Sequence, residues 1–423
     1  MSAANGTAAS PWRVRRVAGA PLVALRVALA GGARAEEIPG LALVTGRALA
    51  EGTSRRDWRG LAVAAESRGM TAAGFGAFES TGVAVDALAG DWERALDLAA
   101  EMLLEPVFPE ERVAWLTRQA VAELEAQADE ADVMTGRAFA ELLYGGHPKG
   151  RPLQGDAASL ARIRAADCAR FHAAALARGG CVAVAGAIPE PAVRAALERR
   201  FAALAAPSAR TLVVAAPPPA SARRRELVTR AHDQAHLFVG QLTVARDHPD
   251  CAALELAAVV LGAGTGLSGR IPGRIRDREG LAYHASADAV AGAGLDPGRL
   301  VAYVGTSPDR LARAERGVAE ELERLLEGGI SEEELADARA YLTGREPFRR
   351  ETARQWADLA ALGAIEGLPF EDPEWSRARL EAPGRAEVEA ALRRHVDPAR
   401  LAVAVGLPSP GAPAVASGVE AGS

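Results

Sequence analysis

Seven histidines and three cysteines are the residues of this 423-residue chain best suited to metal or nucleophilic chemistry. Their spacing gives little. His232 and His236 stand four apart, which on a helix would put both on one face. The following Leu237-Phe238-Val239 reads as strand, where that spacing separates them by about 13 Å, too far for one ion. They read as ordinary hydrogen-bonded or exposed histidines. Cys168, Cys181 and Cys251 lie far apart, which excludes a disulfide framework or a zinc ribbon. Gly262-Ala263-Gly264-Thr265-Gly266 has the glycine content of a phosphate loop. It lacks the Lys-Ser/Thr and follows a helix, so it reads as a turn. No Ser-His-Asp or Cys-His constellation emerges. By residue type alone, Arg276 belongs to the charged run Arg274 to Glu279, a solvated face, and Tyr283 packs a strand.

The elements that must position such residues come in two sets. Leu103-Leu104-Glu105-Pro106-Val107-Phe108-Pro109-Glu110-Glu111 is answered 222 residues on by Leu325-Leu326-Glu327-Gly328-Gly329-Ile330-Ser331-Glu332-Glu333. Each segment ends one helix and opens another; Ser331 with Glu334 is a capping-box pattern, and Pro109 suits a first turn. The glycine-stopped apolar strands Cys181–Gly186 and Leu401–Gly406 recur at offset 220. Pro39 and Pro249 each precede a helix ending at Gly-Thr. Constant order and a nearly constant offset, which drops to 210–212 for the Pro and Gly-Thr matches, predict two similar domains of about 200 residues with about ten extra residues in the second, between 265 and 325. The Pro-Ala run 215–222 is the linker between them. In the first half we expect helices over 39–51, 56–67, 90–104, 109–128, 134–143 and 157–177, with a strand pair over 70–87. Strands and helices in runs, without strict alternation, predict an α+β fold with antiparallel-rich sheets. The expected organisation is a flexible 1–10, a domain over 11–210, a linker over 211–225, a domain over 226–407 and a disordered tail over 408–423.

Composition sets the outer limits. Hydrophobic residues make up 49% and charged residues 25%, as in ordered globular proteins. Aromatics are only 4%, so Ala, Val and Leu must build the cores. A net charge of −6 argues against nucleic-acid binding. No apolar run reaches the roughly 18 residues needed to span a bilayer. Residues 13–35 imitate a secretory signal, with Arg13, Arg15 and Arg16 before an apolar stretch. Arg26, Gly19 and Pro21 break that stretch, so we read two strands, 12–18 and 21–30. The cytoplasm is then the default location, and the periplasm follows only if this segment is a signal.

Local segments across nearly the whole chain resemble the insulinase/pitrilysin-type metallopeptidases, the inverzincins. His147-Pro148-Lys149-Gly150 followed by Gly155 resembles the family's "HPYG…G". His248-Pro249-Asp250 resembles its "HPD". Ser268-Gly269-Arg270, Arg276 and Gly280-Leu281-Ala282-Tyr283 resemble "SRL…iRe..GLAY". The resemblance implies a processing-peptidase-like pair of homologous domains.

It also exposes a loss. Active family members carry H-x-x-E-H on the first helix. Two histidines at i and i+4 share one zinc on one helix face, and the glutamate serves as general base. A further glutamate completes the metal shell. Aligning Gly40-Leu41 and Gly52-Thr53 with the family puts Leu43 and Arg47 at the histidine positions and Gly46 at the catalytic glutamate. Glu123 stands where the third ligand would. An Arg47–Glu123 salt bridge in place of the metal, or two charges facing solvent, are the alternatives. The substrate-edge strand reads Ala72-Ala73-Gly74-Phe75 where the family has Asn-Ala-x-Thr. We expect no cofactor in this chain and no peptide hydrolysis by it alone.

The second domain keeps Arg276 and Tyr283, seven residues apart, as in the two-subunit bacterial members. There one chain brings the zinc motif and the other this pair. A guanidinium and a phenol O–H can stabilise negative charge on a peptide carbonyl oxygen. The resemblance thus implies a non-catalytic subunit acting in trans beside a homologous H-x-x-E-H chain, which holds the zinc, on a peptide substrate. An inert scaffold on the same fold is the alternative. An enzyme with a relocated metal site finds no ligand cluster in the spacing to support it.

Overall fold

The segment Leu22–Ala30 is an almost unbroken run of Val, Ala and Leu, and all but its first residue is buried. A strand so apolar must be covered on both faces. The computed structural model describes residues 10–19, 21–208, 212–229, 234–264 and 268–409. Most of the N-terminal stretch expected to be flexible, His232, Thr265, Gly266 and the tail from 410 lie outside them.

The first sheet has five strands, β1 (Trp12–Arg16), β2 (Leu22–Ala30), β3 (Thr71–Gly76), β4 (Ser80–Leu88) and β5 (Gly180–Gly186), in the order β1-β5-β2-β4-β3. Residues 12–16 and 22–30 are thus the two strands expected of the signal-like segment. The second has β6 (Arg223–Thr229), β7 (Ala235–Leu242), β8 (Ala282–Ala291), β9 (Arg299–Thr306) and β10 (Ala402–Pro408), in the order β6-β10-β7-β9-β8. Each sheet has one parallel pair, β1 with β5 and β6 with β10, and is otherwise antiparallel. Element for element, the two sheets are the same structure, an α+β fold built twice.

The helices of the first sequence half are α1 (Leu41–Ala48), α2 (Trp58–Glu66), α3 (Trp92–Leu104), α4 (Glu110–Gln127), α5 (Ala131–Tyr144), α6 (Ala157–Leu160), α7 (Ala165–Ala177) and α8 (Glu190–Arg200). Those of the second are α9 (Cys251–Leu261), α10 (Arg270–Pro272), α11 (Leu311–Gly328), α12 (Glu332–Arg345), α13 (Ala353–Glu366), α14 (Pro373–Glu381) and α15 (Arg385–His395). The Ser331 capping box is present: Glu334 N–H donates to Ser331 Oγ at 3.0 Å and Ser331 N–H to Glu334 Oε2 at 2.8 Å.

The packing units differ from the contiguous halves 11–210 and 226–407. One gathers residues up to 124, 151–216 and 343–379; the other gathers 125–150, 217–342 and those from 380 onward. The exchange is reciprocal. Helix α13 covers β2 and β5 of the first sheet, and α5 covers β6, β7 and β10 of the second. Both helices occupy the same place in the repeat, starting at Ala131 and Ala353. The physical reason is burial on both faces. Helices α1, α3 and α7 pack with the first sheet, and α13 closes its remaining face. There the buried Arg26 of β2 donates from Nη1 to Asp86 Oδ1 at 2.9 Å and from Nε to Asp358 Oδ1 of α13 at 2.5 Å. A charge in the middle of a central strand requires such partners.

Candidate functional site

Helix α1 is where a zinc motif would stand, and its start is firmly placed. Gly40 caps it in a left-handed conformation, φ 90°, and a Cβ there would meet Gln154 O at 2.3 Å. The Glu36 carboxylate accepts from the N–H of Gly40 at 3.2 Å and of Ala42 at 3.0 Å.

The helix body packs on the edge strand β3 at backbone distance. A Cβ on Gly46 would lie 2.1 Å from Phe75 O and 2.6 Å from Gly76 N. The fit is mutual: a Cβ on Gly74 would lie 1.9 Å from Gly46 O, and one on Gly76 would lie 2.3 Å from Ala42 O. Gly46, which the flanking Gly-Leu and Gly-Thr would align with the family's catalytic glutamate, therefore faces strand backbone. Ala72-Ala73-Gly74-Phe75 is the sequence that allows this approach.

The next residue, Arg47, makes a two-pronged salt bridge with Glu123 of α4, Nη1 to Oε1 at 2.9 Å and Nη2 to Oε2 at 3.0 Å. Of the two alternatives for this pair, the structure shows the bridge. Leu43 is buried. These residues do not fit a zinc ion: position 43 offers no donor, Arg47 brings a cation, and Glu123 spends both oxygens on it.

The corresponding edge strand of the second unit, β8, is arranged otherwise. After α10 the chain makes a π-helical turn, Gly273–Arg278, a form frequent at functional sites. Within it Arg276 Nε donates to Asp277 Oδ1 at 2.7 Å. The hydrogen bond to the Asp277 carboxylate holds the guanidinium more firmly charged than usual. Tyr283 lies at a register shift in β8: Ala282 pairs with Thr306 and His284 with Gly305, leaving Tyr283 as the extra residue. Such a bulge re-aims a side chain, and Tyr283 is 92% exposed. It does not pack the strand, as its residue type alone would have it.

Next to it, the His284 ring lies 5.3 Å from that of Tyr303, whose hydroxyl hydrogen-bonds His236 Nδ1 at 2.9 Å. Burial pushes the Tyr303 phenol up to about 12, and the charge of Asp132 adds to this. His236 is thus the hydrogen-bonded histidine its strand position implied. His147, of the "HPKG" segment, is buried, and its Nδ1 accepts the Lys149 N–H at 3.1 Å.

Spacing could not reveal one further group. His248, Asp250 and His395 bring three potential ligand atoms within 4.8 Å of one another. His395 is 145 residues from Asp250 in sequence, so only the packing of α15 beside α9 shows it.

Comparisons with known proteins agree with this architecture. Residues 15–157 match the model described as "Insulinase (Peptidase family M16)", and residues 170–342 match "Peptidase M16 inactive domain". An uncharacterized zinc protease of Mycobacterium tuberculosis (strain ATCC 25618 / H37Rv) is 27% identical over 354 residues, 82% of this chain and 74% of the relative. A non-peptidase homolog of Helicobacter pylori (strain ATCC 700392 / 26695) is 22% identical, covering 85% of this chain and 82% of its own. The crystal structure of a peptidase M16 inactive domain from Pseudomonas fluorescens superposes with a TM-score of 0.84 at 24% identity, over 95% of this chain and 97% of that one. With both halves matched, the chain belongs to the insulinase-type M16 peptidase family.

Proposed function

We propose that this chain is the zinc-less subunit of a two-chain M16 peptidase. Its partner is a homologous H-x-x-E-H chain that holds the zinc and the general base. This chain contributes Arg276 and Tyr283 in trans. One contrast carries the reading. At edge strand β3 the residue aligned with the catalytic glutamate, Gly46, is closed in by strand backbone, whereas at the equivalent β8 a bulge holds Tyr283 out, seven residues after the Arg276 of the preceding π-helical turn. A guanidinium and a phenol O–H there bind peptide carbonyl oxygens and oppose the charge that develops on one of them. The zinc belongs to the partner.

The test is reconstitution. Neither purified chain alone should cleave an unstructured peptide, and an equimolar mixture should. If the zinc-bearing chain is fully active alone and unaffected by the mixture, the reading fails. The second reading, an inert scaffold, draws on the relative described as a non-peptidase homolog. It is selected if the two chains associate stably and no cleavage follows.

A further inference from the structure

We propose that His248, Asp250 and His395 form a binding site for a borderline divalent metal ion of the zinc class, on elements of the second unit. His395 Nε2 lies 2.7 Å from Asp250 Oδ2, and His248 Nδ1 lies 3.9 Å from the same oxygen. An ion with bonds of about 2.1 Å in tetrahedral array holds its ligands roughly 3.4 Å apart. The two observed separations bracket that value, and all three ligand atoms lie within 4.8 Å of one another. The two rings meet edge to face, 89° apart in plane with centroids at 5.1 Å.

The ligands sit on fixed backbone. Asp250 immediately precedes α9, and the His248 carbonyl accepts the Cys251 N–H at 2.9 Å. The end of α15 is held by the buried Gln241, which donates to the His395 carbonyl at 2.5 Å and accepts the Asp397 N–H at 3.3 Å. Two imidazoles and one carboxylate select zinc, cobalt, nickel or copper over magnesium or calcium, which prefer all-oxygen shells. The site is partly open, with the His248 side chain 39% exposed, which leaves room for water as further ligand. Bound metal staples the start of α9 to the end of α15.

Three interactions must yield. His248 Nδ1 now accepts the Asp250 N–H at 3.1 Å, the Arg394 guanidinium donates to Asp250 Oδ2, and His395 Nε2–H donates to the same oxygen at 2.7 Å, so that proton leaves as the ion binds. Arg394 is well exposed, at 58%, and can swing into water as the ion takes over its charge.

The experiment uses the full, untagged chain after chelator treatment, titrated with Zn²⁺ by calorimetry and with Co²⁺ by visible absorption. One equivalent should bind. His248→Ala and Asp250→Asn should each weaken binding by about tenfold or more and abolish the Co²⁺ ligand-field bands. Arg394→Ala, which removes the competing cation, should tighten binding. His248 is exposed enough that its alanine variant folds, and the unchanged metal-free unfolding midpoint of that variant is the control. No binding at one equivalent, or binding that His248→Ala leaves intact, overturns the proposal. Neither result bears on peptidase reconstitution, so the two readings fail separately.

Discussion

Glycine inside a helix costs about 1 kcal/mol relative to alanine, yet Gly46 is the only residue that fits between α1 and β3. We therefore predict that Gly46→Ala destabilises the chain by about 3 kcal/mol or more, since the displaced atoms are strand backbone. A denaturant-unfolding midpoint checks this. It follows that the triple change Leu43→His, Gly46→Glu, Arg47→His fails to restore a zinc peptidase, because its glutamate has no space. Arg47→Ala should cost no more than about 1 kcal/mol: the bridge to Glu123 is well aligned, but both side chains are partly exposed, 30% and 40%. Arg47 and Glu123 were reachable from the sequence because Gly-Leu and Gly-Thr flank the motif. The cradle around Gly46 was not, because it depends on how closely a strand more than twenty residues away approaches.

Elements exchanged between the two halves are tied down by specific groups. Asp86 faces Arg26 and also accepts from Arg354 of α13 at 2.7 Å. Asp86→Ala should cost about 3 kcal/mol or more, because it leaves a buried guanidinium undercompensated. Asp358→Ala should cost under about 1 kcal/mol, since that carboxylate is 53% exposed. Parallel urea titrations separate the two.

Helix α7 carries a pH-dependent contact. His172 Nε2–H donates to Leu103 O at 2.7 Å, and burial holds the imidazole below its ordinary value even though that bond opposes the shift. Above about pH 6.5 the ring is neutral in both folded and unfolded chains. As pH falls through 6.5 the unfolded chain takes the proton first, so stability declines with acidification over that window. His172→Gln should flatten the slope between pH 7 and 5. The repeat implied two similar domains of about 200 residues. It could not show that α5 and α13 each cover the other half's sheet, because periodicity defines an apolar face without naming its partner. The bulge at Tyr283 was hidden for a similar reason: it is a property of the pairing of β8 with β9, and strand alternation in one sequence does not display it.

At the scale of the molecule, one fold occurs twice and its two edge strands have diverged. Strand β3 packs through its glycines against helix α1; β8 holds Tyr283 exposed at a bulge. Among the described residues, no helix is long and apolar enough to cross a membrane. The family resemblance was legible because its motifs are local and spread along the whole chain. The difference between the two edge strands became clear only with both sheets in view.

The account stands most directly on kcat/KM for peptide cleavage by the reconstituted pair, with this chain as wild type and as Arg276→Ala or Tyr283→Phe. Removing one donor to a developing oxyanion typically costs about 10²–10³ in rate. We expect a loss of at least tenfold for each variant, while complex formation, measured by sedimentation, is unchanged. Wild-type kcat/KM with both variants in an intact complex would contradict the account.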